Sequence, residues 1–330
     1  MALRAPTDWR ISLDAAGLVA LADLSTLAKR TALTGTSSLL DMFVIAPGLH
    51  RQQTAVDLNH GEYPACAAMT TGYVFRVENQ AMVFYLQKVG KTGHLTTLEV
   101  SHTNYSDSGW RRALSAIHNP HTNSLFASSA YLAAVLLTIC SLAIFVLLQD
   151  WWALGALGIL IFARACNVFV VRQRSRPCWF GAPEPNEKSD LLILLSQDRW
   201  VRMKGPTDDV KAVTSGTWLQ DPTATDDCIT ALATLLVYLV AALAGNARQE
   251  GKLVLLGLLF GSVALIGIAN SYTGILQMHG RIVKVKAGPK PYLRRRLLAD
   301  ELVKETGKKH WAMKLGMLPA EKDDVTPPTM

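Results

Sequence analysis

Three side chains have the type and setting to do chemistry. Arg164 is a charge inside a long apolar run, and His118 and His121 form an HxxH pair that spans a proline. Two histidines do not make a metal site without further ligands, and His94, His102 and Glu62 are the groups that could join them. Asp208 and Asp209 could also ligate a metal. Acids in a helix's first turn favour its dipole without one, and that is the preferred account of the pair. An ionisable residue at membrane depth is a functional candidate by default. Arg164, however, lies about seven residues, roughly 10 Å at helical rise, from the end of its run. A side chain that close to the end snorkels to the interface, so Arg164 is expected to serve packing or orientation. Arg164, His118 and His121 are the candidate catalytic residues, and no metal or cofactor is expected. The sequence has no GxxxxGK[ST], GxSxG or HExxH pattern, no aspartate-rich prenyltransferase motif and no set of histidine boxes. The balance leans away from an enzyme.

The elements that must position these residues are set by hydropathy. The chain is 330 residues long and 50% hydrophobic, and its apolar residues concentrate in four runs: 125–148, 151–171, 228–245 and 253–276. A bilayer's hydrocarbon core takes roughly 20 apolar residues of helix to cross. The predicted fold is therefore an α-helical integral membrane protein, with four transmembrane helices arranged as two hairpins, 125–171 and 228–276. A cytosolic α+β domain (1–124) precedes them, a cytosolic loop containing a β-hairpin (172–227) lies between them, and a basic cytosolic tail (277–330) follows. The start lacks a charged-then-apolar pattern, so no cleaved signal peptide is expected. Five cysteines without CxxC spacing give no disulfide framework or zinc site.

Orientation follows from the positive-inside rule. Arg111, Arg112, Arg172, Arg174, Arg176, Arg281, Lys284 and Lys286 fall on one side. The 149–150 and 246–252 turns carry only Arg248 and Lys252. Both termini and the 172–227 loop are predicted to be cytosolic, in a plasma membrane or endomembrane, and the Asn104 sequon is predicted to stay bare. Gly257 and Gly261 form a GxxxG, a face for helix packing or a homo-oligomer, and Gly155 and Gly158 thin the second helix. Asn270, Ser271 and Thr273 are read as bridging helices near the cytosolic end.

In the N-terminal region, residues 11–27 suit a helix capped by Ser12 and ended by Lys29 and Arg30. Residues 37–49 are apolar but too short to span, a core or surface-lying stretch stopped by Pro47 and Gly48. Three β-branched and aromatic runs, 72–77, 81–89 and 94–103, predict an antiparallel three-stranded meander. In the middle loop, 189–196 and 199–204 read as a hairpin turning at Gln197 and Asp198. On its return strand Arg199, Val201 and Met203 face one way, and Trp200, Arg202 and Lys204 the other. A short helix opened by Thr207 follows.

The stretch LLILLSQDRWVRMKGPTDDVKAVTSGTWL (191–219) resembles the cytosolic loop of multi-spanning membrane proteins of filamentous ascomycete fungi. Residues 12–17 and 24–30 fit the same resemblance. It implies a fungal source and the paired-helix topology, and carries no catalytic residue with it.

The net charge of +7 is matched by residues 281–310 alone, with ten Lys/Arg against three Asp/Glu. A basic tail beside a membrane faces anionic lipid headgroups, and without a recognition module no nucleic-acid partner is expected. Pro291 is read as opening a basic amphipathic helix with Leu293, Leu297, Leu298 and Leu302 on one face, either lying on the membrane or packed on the N-terminal domain. Two functions remain. One is a non-enzymatic platform for partners or lipids. The other is an enzyme or accessory factor acting on an apolar metabolite in a fungal biosynthetic pathway.

Overall fold

The computed structural model describes residues 13, 16–51, 56–102, 125–177 and 179–319. Ser12, Asn104, Arg111, Arg112, His118, His121 and Cys178 lie outside the described residues. The helices are α1 (Thr26–Thr34), α2 (Gln80–Val89), α3 (Leu125–Leu147), α4 (Trp151–Arg174), α5 (Thr207–Thr214), α6 (Ala224–Leu243), α7 (Gln249–Tyr272), α8 (Arg295–Thr306) and α9 (His310–Lys314). The strands are β1 (Ala65–Ala68), β2 (Val74–Arg76), β3 (His94–His102), β4 (Lys188–Leu195), β5 (Arg199–Pro206), β6 (Ile275–Met278) and β7 (Arg281–Pro291).

The four apolar runs form α3, α4, α6 and α7, all long and apolar enough to cross a membrane. Side-chain caps start two of them. Asp150 accepts from the Ala153 N–H at 3.1 Å ahead of α4, and Thr223 and Asp226 form a capping box at α6. The last helix ends sooner than predicted. Thr273 leaves α7 in an extended conformation, and Ile275 and Leu276 open β6 instead. The two hairpins interlock, α3 packing chiefly on α7 and α4 on α6. Gly261 serves that contact, with Leu137 Cδ2 2.9 Å from where a Cβ would stand. Gly155, Gly158 and Gly257, read as packing positions, meet nothing within 4 Å there among the described residues.

At one end of the bundle the two short turns are bonded together. Asp150 Oδ2 accepts from the Arg248 N–H, and Arg248 Nη1 donates to the Leu148 carbonyl, both at 2.9 Å. The opposite end carries the sheet, because only Thr273 and Gly274 separate α7 from β6. Lys88 of α2 fastens that end by donating to the Asn270 and Thr273 carbonyls at 2.5 and 2.6 Å.

The segments read as an N-terminal domain, a middle loop and a tail share one seven-stranded sheet, ordered β2-β1-β4-β5-β3-β7-β6. Its strands pair antiparallel except for β3 with β5. The predicted hairpin is present as β4 and β5, with Gln197 and Asp198 both at positive φ in the turn. Its facing is also as predicted. Val201 and Met203 join the core beneath α2, while Trp200 faces the tail helices. The predicted meander is not formed. Residues 81–89 are helical because Asn79 accepts from the Met82 N–H at 3.0 Å, and Ala81, Met82, Tyr85 and Leu86 bury one helical face. Its aromatic and β-branched content concealed that period.

The tail also differs. Pro291 ends β7, and α8 starts later, after Arg294. Leu298 and Leu302 are buried on the sheet with Leu192, Trp200 and Trp311, which leaves Leu293 and Leu297 exposed. Arg202 clamps α8 by donating to Glu305 at 2.6 and 2.9 Å and to Asp190 at 2.6 Å.

The first described stretch, 16–51, is not a surface domain. A 3-10 turn, Ala16–Leu21, packs on α6 and α7 at their far end, where a Cβ on Gly17 would stand 2.7 Å from the Ala244 Cβ. The chain then returns to α1, in whose interior Lys29 and Arg30 lie rather than at a helix end. Val44, Ile45, Ala46 and Leu49 are fully buried among Leu157, Leu160 and Val240 of the bundle. Non-helical backbone at membrane depth is tolerated where protein buries it, and here it does.

Candidate functional site

Arg164 does not snorkel to the interface as expected. It lies on the inner stripe of α4 with Ala153, Leu157, Leu160 and Asn167, and is 2% exposed, so its charge does not reach the interface. Its Nε donates to the Asp41 carbonyl at 3.0 Å, and its Nη1 has no hydrogen-bond partner among the described residues. Asp41 accepts from the Tyr131 hydroxyl and from the Ser38 N–H, each at 2.6 Å. Arg30 sits 5.2 Å over the Tyr131 ring and donates to Thr273 Oγ1 at 3.0 Å. Two guanidiniums thus lie within electrostatic reach of one buried carboxylate, without a salt bridge to it within 4.0 Å among the described residues. Every member packs on protein, so the cluster holds the 37–49 stretch in the bundle rather than meeting a ligand. Asn167 does the same by donating to the Leu49 carbonyl at 2.7 Å, and Asn270 bridges to the Thr26 carbonyl at 2.9 Å.

The proposed histidine grouping is not assembled from its described members. His94 and His102 stand at opposite ends of β3, about 26 Å apart at strand rise. Glu62 is engaged elsewhere, accepting from the Ser196 N–H at 2.6 Å and from Gln87 at 2.7 Å. Asp209 pairs with Arg281 at 2.8 Å, and Asp208 accepts from the Glu184 N–H at 2.8 Å. Among the described residues, no group of three or more metal-ligating side chains converges.

The arrangement that does present polar groups to open space is a cleft of about 570 Å³ beside α6. One wall is a stripe of that helix: Asp227, Thr230, Thr234 and Tyr238, at helical spacing. The facing wall comes from the inserted N-terminal stretch and carries Asp23, ion-paired to Arg51, and His50. The His50 and Tyr238 rings lie 6.3 Å apart, and His50 Nδ1 is buried without a hydrogen-bond partner among the described residues. Arg174, the last residue of α4, stands at the sheet-side mouth, where its Nε donates to the Gln220 carbonyl at 2.8 Å. Asp226, Asp227 and Asp221 are within its electrostatic reach.

From Asp227 to Tyr238 the stripe descends about 16 Å along α6, about half the thickness of a hydrocarbon core. Charged and hydroxyl groups therefore line a furrow along about half of a helix long enough to cross a membrane, on a bundle whose outer surface is otherwise largely apolar. Asp23, His50 and Arg51 were not foreseen because they arrive from outside the apolar runs. The α6 half was visible as a polar stripe on an apolar helix.

No family model, curated protein or solved structure matches this chain.

Proposed function

We propose that this chain is a multi-pass integral membrane protein acting as a non-enzymatic platform, with the seven-stranded sheet, the middle loop and the C-terminal tail in the cytosol. The observation that carries this is the sheet itself. The N-terminal region, the middle loop and the tail each give it strands, and all of them abut one end of the four-helix bundle. Arg172, Arg174, Arg176, Arg281, Lys284 and Lys286 cluster at that end, against Arg248 and Lys252 at the other, which supports the cytosolic assignment.

The basic tail faces the anionic headgroups through one tip. Leu293 is 95% exposed and is followed by Arg294, Arg295 and Arg296. Tyr292 N–H bonds the Gly93 carbonyl at 2.9 Å, in the loop after Lys88, and Lys88 grips the end of α7. The tip is thereby held to the membrane side of the sheet. An exposed leucine beside several arginines suits an anionic interface.

Reporter fusions between 185 and 225 and at 330 test the orientation and should report cytosol. A luminal signal at either overturns it. Full-length protein in nanodiscs tests the tip: Leu293→Asp with Arg294→Gln and Arg295→Gln should reduce crosslinking of the tail to anionic lipid while leaving a neutral bilayer's crosslinking unchanged. Equal crosslinking of the two proteins on anionic lipid removes the lipid-facing role.

A further inference from the structure

The cleft beside α6 has a charge pattern that selects a ligand class. At its mouth Arg174 and Asp227 stand together as opposite charges. Arg174 spends its Nε on the Gln220 carbonyl, and among the described residues the two form no salt bridge within 4.0 Å. Deeper in, Asp23 and Arg51 are already paired with each other. The lining is thus close to neutral overall, with a cation and an anion at the opening that form no salt bridge with each other, and with Asp226 and Asp221 also within electrostatic reach of the cation.

We infer that this cleft binds a zwitterion, its anionic group at the Arg174 guanidinium and its ammonium at the Asp227 carboxylate, and that the zwitterion is the headgroup of a phospholipid from the sheet-side leaflet. A single-charge ligand meets only one of the two mouth groups, whereas a zwitterion meets both. A guanidinium recognises a phosphate through charge-assisted hydrogen bonds. At about 570 Å³ the space lies within the roughly 300–1,000 Å³ of ligand pockets.

Lipid rather than solute is the favoured source because the furrow runs lengthwise down a spanning helix. Leu232, Leu235 and Leu239, on the adjoining faces of α6, are 47%, 66% and 44% exposed. Acyl chains have an apolar surface to lie on there, continuous with the polar stripe. The inference depends on the four helices spanning a membrane, and resistance of the protein to alkaline carbonate extraction tests that premise separately.

The experiment is native mass spectrometry of the full-length protein in detergent, titrated with dihexanoyl-phosphatidylcholine, with the water-soluble glycerophosphocholine, and with dihexanoyl-phosphatidylglycerol. One phosphatidylcholine should bind above the non-specific ladder. Asp227→Asn should weaken it at least tenfold, Arg174→Gln likewise, and Thr234→Leu should block it by filling the furrow. Equal binding of glycerophosphocholine keeps the zwitterion site and assigns it a soluble ligand. Phosphatidylglycerol binding as tightly as phosphatidylcholine overturns the proposal, as does binding indifferent to all three substitutions. If Arg174→Gln fails to fold, the exposed Asp227 and the furrow-lining Thr234 still decide the matter. A carbonate-resistant protein that binds none of the three ligands overturns this proposal alone.

Discussion

Around Asp41 a single carboxylate acts through space on Arg30 and Arg164, all three buried. Removing one partner of a buried charge set costs about 3–5 kcal/mol when it leaves a charge uncompensated. Asp41→Asn does that to two guanidiniums and should fall in this range. Arg164→Met removes one donor from the Asp41 carbonyl and also relieves the excess positive charge, so its cost should be smaller, about 1–3 kcal/mol. Thermal unfolding of the purified variants in detergent measures the order, and a costlier Arg164→Met would refute the charge account. The placement of Arg164 was partly legible, since it repeats at helical spacing with Ala153, Leu157 and Leu160. Its partner was not. Asp41 lies in a short apolar stretch whose insertion into the bundle depends on long-range packing that no local period encodes.

Among the elements, α8 shows how sequence pattern and outcome diverge. Its leucines are spaced for one face, and that face is used, but against the sheet. Trp200 and Trp311 offer Leu298 and Leu302 a dry surface, and Arg202 anchors the helix through Glu305. The hydrogen bond from Arg202 holds the Glu305 carboxyl down at about 2, from an ordinary 4.5. A depressed carboxyl contributes stability that is present above its unfolded value and lost as pH falls through the folded one. Docking of α8 should therefore be full above about pH 4.5 and weaken toward about pH 2. Half of the Glu305 side chain faces water, so the effect is screened and modest. The emission of buried Trp311 reports the docking. Glu305→Gln should flatten the acid transition, and an unchanged transition would assign it to other carboxyls. Leu302→Ala should cost about 2–5 kcal/mol by leaving a cavity under the helix; a loss below about 1 kcal/mol would mean α8 is not packed on the sheet as described. The β4–β5 hairpin was the most legible element because a short apolar run, two turn residues and a return strand with two distinct faces are local signals. The α2 segment misled because its residue types favour strands while its buried positions follow a helix.

Over the whole molecule, the division into membrane runs and flanking regions was readable from hydropathy, but their mutual arrangement was not. The flanks interleave into one sheet, and the first flank also enters the bundle. That insertion gives the α6 furrow its second wall, so polar groups from two distant parts of the chain meet on the flank of a helix apolar enough to span. Charged side chains facing lipid there would be costly. Asp23 and Arg51 have about half of their side chains uncovered and are favourable only if the furrow holds water. This can be read residue by residue along α6. In a background lacking the native cysteines, Thr230→Cys and Thr234→Cys face the furrow, whereas Leu235→Cys and Leu239→Cys face outward. A thiosulfonate reagent reacts with the thiolate, which needs water to form. The threonine positions should be modified quickly by a charged reagent added from the sheet side, and the leucine positions slowly if at all. Protection should follow when short-chain phosphatidylcholine is present. Equal, slow modification at all four positions would mean a dry furrow, and the ion pair would then have to be covered by other parts of the chain.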